Sequence, residues 1–379
     1  LLNGDVGSFI IPEDLTLYVT GDVGSDPSNS GAKMSKIDVR GTLMVGGNLY
    51  MDGTVNNLGV RGNWYVTSGT GIVTGTATIE TDVFIDASQK LEVNGKLYAK
   101  EVNARTGSAT LDVAGHVEAN NVNAGASGTV IVTSDTSLVV SGTIKTGTLN
   151  IGDADNDKAG RVTAKEVVAS NVNVTVPGSS LVVETAIGTI AIPATVTVEN
   201  ATLRAASLVG TLTIRSDAGE TVTVVVPLLD GTMDSSGVKG SYTITVGTDT
   251  KSEVEIKEEI ATDATFNGKV TFAQNSTLGE NVTVTINGTV EGLENLNGAK
   301  GAKVTFGRDV VITNGDGALT KFTYANGDAV EAGNVARMTF TWGEKQQKFV
   351  CTNDPVYNGV YSNSSTPSAE KDTSESLYR

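Results

Sequence analysis

The residues best suited to binding a metal ion stand in one short acidic loop. Asp153, Asp155 and Asp157 occupy alternate positions, which is the carboxylate spacing that opens a calcium-binding loop of hard oxygen ligands. The loop departs from the EF-hand pattern, since Lys158 stands where the turn glycine belongs and Ala164 where the bidentate glutamate belongs. Two interpretations stay open, a calcium site and a solvated acidic loop tip. Calcium is the one candidate cofactor, and otherwise none is expected.

A single histidine is the next candidate for chemistry. One His and one Cys are too few for a zinc site within one chain, because such a site needs three or four of these ligands. His116 follows Gly115 directly, and a histidine on a solenoid coil could serve as a general base. In other copies of an internal repeat its register is occupied by Lys96, Thr143 and Arg161. These residue types favour a solvent-facing position, so we expect His116 to be a surface residue.

The single cysteine and the scattered carboxylates give no further catalytic signal. Cys351 alternates with Phe349 along a strand-like segment, which predicts a buried thiol, with an intermolecular link as the alternative. Polysaccharide-cleaving enzymes need clustered carboxylates, and no paired carboxylates recur here at fixed spacing. The sequence therefore predicts a protein that is not an enzyme.

Aromatic residues are few, at 5% of the chain, but some are grouped. Aromatic rings that lie exposed on a flat face can stack on sugar rings, so the grouped residues form a candidate carbohydrate-binding set. Its members are Tyr50, Trp64, Tyr65, Trp342, Tyr357 and Tyr361. If the strand around Trp64 and Tyr65 alternates, one of these two side chains faces outward. The alternative is that bulky aromatics cap the ends of the fold.

Composition limits the partners and the fold class. The net charge is −16 with a pI near 4.5. Nucleic-acid binding and binding to an anionic membrane both need basic patches, and none is dense enough. No apolar run reaches 18 residues, so no membrane insertion is expected. The first residue is Leu1, as in a processed secreted chain or an excised fragment, and we expect an extracellular, cell-surface location. Val and Thr with Gly and Asn indicate an all-β protein.

An internal repeat specifies the architecture. Residues 91–104 (LEVNGKLYAKEVNA) and 111–124 (LDVAGHVEANNVNA) align without gaps at a spacing of 20 residues. Residues 138–151 keep the same apolar positions, residues 160–169 repeat the second half of the copy, and IDVRGTLMV at 37–45 fits the first half. Apolar residues alternate on both sides of each glycine, so two strands with one buried face meet at a glycine corner. This pattern predicts one coil of a parallel β-solenoid.

The anchoring glycines of these copies are Gly41, Gly95, Gly115, Gly142 and Gly160. Over 37–66 glycines also recur every six residues, and hexapeptide spacing is typical of solenoids. The alternative fold is a β-meander with glycine turns.

The full prediction is an all-β parallel β-helix with two irregular regions. Its segments are a solenoid over 1–216, a hairpin insertion over 217–262, resumed coils over 263–317, antiparallel hairpins that form a cap over 318–362, and a polar tail over 363–379. In the cap, MTFTWGEKQQKFVC is the clearest hairpin.

The repeats LEVNGKLYAKEVNA and LDVAGHVEANNVNA resemble those of secreted and cell-surface β-solenoids, and of bactofilin-type polymer-forming solenoids. In size, acidity and Gly/Thr/Val richness the chain is similar to the amyloid-like major sheath proteins of filamentous methanogens. It also shares a size class with the tapirins, which are cellulose-binding surface solenoids. The repeat resemblance covers about residues 37–170.

These resemblances imply two hypotheses. In the first, the protein is a non-enzymatic structural component that assembles as a homo-oligomer or polymer into a surface layer, sheath or fibre. Unpaired strand edges at solenoid ends would join the copies. In the second, it is a surface adhesin that binds a polysaccharide such as cellulose through a flat face carrying exposed aromatics.

Overall fold

The computed structural model describes residues 9–24, 37–133 and 137–353. Parallel strands stack coil upon coil in about 14 turns of β-solenoid, which confirms the predicted fold class. The described residues contain no α-helix and three short 3-10 helices, none of which has the length or apolar character that crossing a membrane requires. The predicted polar tail over 363–379 lies outside the described residues.

Contacts divide the chain into two compact units, unit 1 over 1–209 and unit 2 over 210–379. The strands that begin in unit 1 are β1 (Phe9–Ile11), β2 (Thr16–Val19), β3 (Ile37–Val45), β4 (Leu49–Tyr50), β5 (Gly53–Val60), β6 (Trp64–Val66), β7 (Thr70–Ile85), β8 (Lys90–Val93), β9 (Lys96–Ala104), β10 (Thr110–Val113), β11 (His116–Ala119), β12 (Asn121–Val132), β13 (Ser137–Ile151), β14 (Arg161–Val174), β15 (Ser180–Ile187), β16 (Ala194–Glu199) and β17 (Thr202–Ser216).

Each coil of unit 1 contributes three strand segments, so the unit has three faces. We call the face that contains β2 and β11 the second face, and the face that contains β4 and β6 the third face. Inward positions of the second face form one apolar column with a member in every coil. From Leu43 onward its members are Leu43, Leu58, Ala77, Leu97, Val117, Leu138, Val162, Leu181 and Leu203, all buried. Burial of this column is what the alternation of the sequence predicts.

The corner glycines are required by the close approach of neighbouring coils. A Cβ on Gly95 would meet the Gly75 carbonyl oxygen, and a Cβ on Gly115 would meet the Gly95 carbonyl oxygen, both well inside contact distance. Gly41 and Gly160 are enclosed by backbone carbonyls in the same way. The predicted glycine corner is therefore confirmed at these positions.

One repeat copy occupies a different corner of the coil from the one that the sequence predicts. The sequence places 138–151 in register with 111–124 through Gly142, but Leu138 pairs with Val117 and Val140 with Ala119. Gly142 consequently leads into the third face, whereas Gly115 leads into the second. Every corner of a coil can carry glycine between alternating strands, so the sequence pattern alone does not identify which corner a glycine occupies.

Unit 2 continues the parallel architecture and ends in antiparallel strands. Its strands are β18 (Thr221–Val226), β19 (Leu228–Val238), β20 (Ser241–Val246), β21 (Glu253–Ile256), β22 (Glu259–Ile260), β23 (Ala264–Phe266), β24 (Lys269–Phe272), β25 (Thr277–Leu278), β26 (Thr283–Ile286), β27 (Thr289–Glu291), β28 (Asn297–Gly298), β29 (Lys303–Phe306), β30 (Val311–Ile312), β31 (Phe322–Thr323), β32 (Thr339–Gly343) and β33 (Lys348–Asn353); its 3-10 helices span Leu293–Asn295, Gly315–Leu319 and Ala332–Asn334.

The predicted hairpin insertion over 217–262 is wrong. β18 pairs with β20 in parallel register, β19 pairs with β21, and β21 pairs in turn with β24. Val254 and Ile256 face inward while the glutamates beside them face outward. A hairpin and a coil share this period of two, and charged outward positions made an ordinary coil resemble an insertion.

The antiparallel end is confirmed for two strands. β32 runs antiparallel to β29 of the last coil, and β33 runs antiparallel to β32. The stretch that precedes them holds two 3-10 helices, the two-residue strand β31 and one isolated antiparallel bridge between Thr323 and Ala329. Residues 354–362, the end of the predicted cap, lie outside the described residues.

Candidate functional site

The predicted aromatic set does not form one surface. Trp64 is fully buried, and its indole Nε1 donates a hydrogen bond to the Met51 carbonyl oxygen at 3.0 Å. Tyr65 is the member of the pair that faces outward, in agreement with the predicted alternation. Trp64 is therefore part of the core and is not available to a ligand.

Tyr50 and Tyr65 lie in a stack of rings on the third face. Their centroids are 4.6 Å apart with planes at 7°, and Phe84 continues the stack at 5.1 Å and 16° from Tyr65. The Arg105 guanidinium stands 5.6 Å from the centroid of Tyr65 and pairs with the Asp86 carboxylate. Both faces of the Tyr65 ring are thus covered by other rings, so Tyr65 has no face on which a sugar could stack.

The aromatic residues near the C-terminus form a buried cap. Trp342 is 7% exposed and packs edge-on against Phe349 at 4.9 Å. Phe306, Phe322 and Phe340 complete a cluster whose neighbouring centroids are 5.2 to 5.7 Å apart. The alternative that bulky aromatics cap the fold is the one that the structure supports here. The two remaining members of the predicted set, Tyr357 and Tyr361, lie outside the described residues.

The acidic loop uses its first carboxylate for its own turn. Asp153 accepts hydrogen bonds from the backbone N–H of Asp155 and Asn156 and from the Asn156 side-chain amide. These bonds, the Asn156 amide above all, hold the pKa of Asp153 below its usual value. Asp155 and Asp157 are exposed. Within the described residues no three His, Cys, Asp or Glu side chains converge closely enough to hold a metal ion, and this loop is no exception.

Cys351 is buried as predicted, whereas His116 faces outward but is mostly covered by its neighbours. His116 pairs in register with Lys96, and its ring lies edge-on to Tyr98 with centroids 5.8 Å apart. Its side chain is 23% exposed, and the nearest carboxylate oxygen, from Glu118, is 4.0 Å away. Cys351 is buried and forms no disulfide. The Ser137 hydroxyl oxygen lies 3.5 Å from His116 Nδ1, which is longer than a well-formed hydrogen bond, so the geometry is poor for a nucleophile–base pair.

A groove along the second face forms a concave site in unit 1. One column of outward positions places Tyr18, Met44, Gly59, Thr78 and Tyr98 in successive coils. A cavity of about 440 Å³ runs from Tyr18 to Thr78, and a second of about 250 Å³ continues from Thr78 past Tyr98. We call this feature the Tyr18–Tyr98 groove. The column from Tyr18 to Tyr98 forms one side of the groove. The opposite side is lined by Thr20, Arg61, Glu80, Asn120 and Ser141.

Sequence reasoning missed this groove. The aligned repeats already place Tyr98 and Glu118 on one register, but Tyr18 lies outside the recognised copies. The signal that could have identified it is Gly59, which lies between Tyr18 and Tyr98 in the outward column. A glycine there leaves space on a face that is otherwise covered by side chains.

Comparison of the chain with protein-family models, with curated proteins and with solved structures finds no match. The resemblance to sheath proteins, bactofilins and tapirins therefore stays a prediction.

Proposed function

We propose that this chain is a non-enzymatic, extracellular structural protein that self-assembles, and that copies join through the strand edge at the N-terminal end of unit 1. The observation that carries the proposal is the incomplete covering of the first coil. Among the described strands, β1 and β2 each pair on one side only, with β3. An unpaired strand edge is a template for a strand from another chain.

The hydrogen bonds of β2 show which backbone groups face the open side. Thr42 donates its N–H to the Leu15 carbonyl at 2.9 Å, and Gly46 donates to the Val19 carbonyl at 2.7 Å. In a parallel ladder alternate residues bond to the same neighbour. The backbone groups of Thr16 and Tyr18, between these residues, therefore point away from β3.

The side chains of this coil are also less covered than those of the next one. Leu17 and Val19 face inward but are only half-buried, whereas Leu43 and Val45, their partners in β3, are 1% and 3% exposed. Leu15 beside them is 57% exposed. If apolar side chains of another chain covered Leu15, Leu17 and Val19, their burial would add a favourable free energy to that of the backbone hydrogen bonds.

A second copy of the chain is the occupant that we infer. In the last coil of unit 2, β32 and β33 cover β29, and the aromatic cluster packs beside them, whereas among the described strands β28 and β30 also pair on one side only. Pairing with the N-terminal edge of another copy needs no second kind of surface, because two identical edges meet as an isologous, antiparallel pair. Further contacts would extend such pairs into a layer, sheath or fibre.

The test is a concentration series of Thr16→Pro and Thr16→Ser variants in sedimentation velocity. Proline removes the N–H that faces the open side and leaves the Leu15 and Val19 bonds to β3 in place, because edge strands tolerate proline. The wild-type chain and Thr16→Ser should form dimers or larger species as concentration rises. Thr16→Pro should need about thirtyfold higher concentration, since each lost hydrogen bond contributes about 1 kcal/mol and the pair loses two.

Equal association of the proline and serine variants would contradict joining through this edge. A wild-type chain that sediments as a monomer at every concentration would contradict self-assembly as an intrinsic property.

A further inference from the structure

The Tyr18–Tyr98 groove is long enough to hold a segment of a linear polymer, and it is open to solvent. Its outward column extends from Tyr18 through Tyr98 to Val139, which is six coil steps or about 29 Å at 4.8 Å per step. We propose that this groove binds a neutral linear polysaccharide that lies along the stacked coils.

The floor of the groove is created by one glycine. A Cβ on Gly59 would meet only the sulfur and terminal methyl of Met44, at 2.7 and 2.6 Å. The Met44 side chain thus lies across the space that a side chain at position 59 would fill. A flexible thioether over a bare backbone makes an apolar floor that adapts to the shape of a ligand.

Two tyrosines stand on this floor at a fixed separation. Tyr18 is 75% exposed, and Tyr98 is half-buried with its ring held against His116. Four coil steps separate them, about 19 Å along the groove. Unlike the stacked rings of the third face, these two are separated from each other by Met44, Gly59 and Thr78. A tyrosine ring that is not stacked between other rings offers an apolar face for a sugar ring and a hydroxyl for hydrogen bonding.

The opposite side supplies polar groups with little net charge. Thr20, Asn120 and Ser141 present hydroxyl and amide groups that match sugar hydroxyls. The Arg61 guanidinium stands 4.0 Å from the Glu80 carboxylate, and both side chains are mostly exposed. Because the whole chain carries a charge of −16, an anionic polymer would be repelled, which favours a neutral one.

An extended peptide is disfavoured by the hydrogen bonding of the groove. β3 pairs with β2 and β5, and β9 pairs with β7 and β11, so the strands beneath Met44 and Tyr98 have neighbours on both sides. A peptide that binds by strand addition needs an unpaired edge. Recognition in the groove must therefore use side chains, as stacking and hydroxyl contacts with a glycan do.

The test is affinity gel electrophoresis of the full chain in gels that contain soluble glucomannan or xylan, with anionic polygalacturonate as the comparison. The wild-type chain should be retarded by at least one neutral polymer and not by polygalacturonate. Tyr98→Ala should weaken the retardation constant by about two- to tenfold, which corresponds to the loss of one aromatic stacking contact. Gly59→Gln should also weaken it, because the added side chain occupies the floor of the groove.

Two matched variants keep the test specific. Thr163→Gln places the same side chain on the same outward column beyond the groove, and Tyr242→Ala removes an exposed tyrosine of unit 2. Both should bind as the wild type does, and circular dichroism should show the same strand signal in all four variants. Tyr98→Ala and Gly59→Gln leave β2 unchanged and should associate as the wild type does in sedimentation velocity, so failure of assembly and failure of glycan binding are separable.

Three outcomes would overturn the proposal. They are absence of retardation by both neutral polymers, preference for polygalacturonate, and unchanged binding in folded Tyr98→Ala and Gly59→Gln variants.

Discussion

Adding a single methyl group at a coil corner tests the packing that holds the solenoid together. Gly115 lies directly over the carbonyl group of Gly95 in the preceding coil, and a Cβ there would meet that oxygen and the backbone of Asn94 well inside contact distance. The same carbonyl already accepts the His116 N–H at 2.8 Å. Neither atom can move without separating two coils, so we expect Gly115→Ala to destabilise the fold.

The expected loss in the free energy of unfolding depends on which kind of atom obstructs the added methyl group. Extra carbon in a well-packed interior costs about 1–3 kcal/mol when neighbours must shift. The upper part of that range applies to Gly115→Ala, because the obstructing atoms are backbone and belong to a ladder of coil-to-coil hydrogen bonds. Gly21→Ala is the matched control, since a Cβ on Gly21 meets nothing within 4 Å. Its cost should stay within about 0.5 kcal/mol.

The assay is urea unfolding followed by circular dichroism, with the two variants and the wild type measured side by side. Gly115→Ala should lower the midpoint clearly and Gly21→Ala should not. Because each coil contacts only its neighbours, amide exchange should also show the loss of protection concentrated in β9 and β11. If Gly115→Ala and Gly21→Ala unfold at the same urea concentration, the reasoning about corner packing is refuted.

Two further predictions concern polar groups of unit 1. Asp52 is 4% exposed and accepts hydrogen bonds from Thr67 N–H and the Ser68 hydroxyl, so Asp52→Ala should lower the free energy of unfolding by about 1–3 kcal/mol in urea titrations; an unchanged midpoint would contradict this role. The Asn103 and Asn121 amides donate to Glu101 and hold the pKa of its carboxyl below the ordinary value of about 4.3. Since the folded pKa lies below the unfolded one, the stabilisation is present above about pH 4.3 and is lost as pH falls through the folded pKa. Removing the larger contribution in Asn103→Ala should raise the pKa of Glu101 in carboxyl NMR titrations, and an unmoved pKa would count against it.

The fold was predictable because two local patterns agree along the chain. Alternation around Leu97 and Val117 requires one buried face, and the glycines before these strands require a close corner. These patterns do not show how many corners a coil has. For that reason the sequence assigns Gly142 to the wrong corner. The coil at Val254 was mistaken for a hairpin because strand direction depends on where the chain returns, which local alternation does not encode.

The candidate site was less predictable than the fold. Their residue type suggested that Trp64 and Trp342 bind a ligand, but both are buried. A large apolar ring usually contributes more free energy in a core than on an exposed surface. The Tyr18–Tyr98 groove arises from residues that are 80 positions apart in sequence and share one column only once the coil lengths are known. Those lengths vary, because Tyr18 to Met44 spans more residues than Met44 to Gly59.

Backbone amide exchange at Thr16 and Tyr18 tests the central claim of assembly through the N-terminal edge most directly. These two N–H groups face the open side of β2, so exchange should be fast in dilute protein and should slow as concentration rises and copies pair. The N–H groups of β3 should stay protected throughout. If Thr16 and Tyr18 exchange equally fast at every concentration while larger species form, copies associate through another surface and the account is wrong.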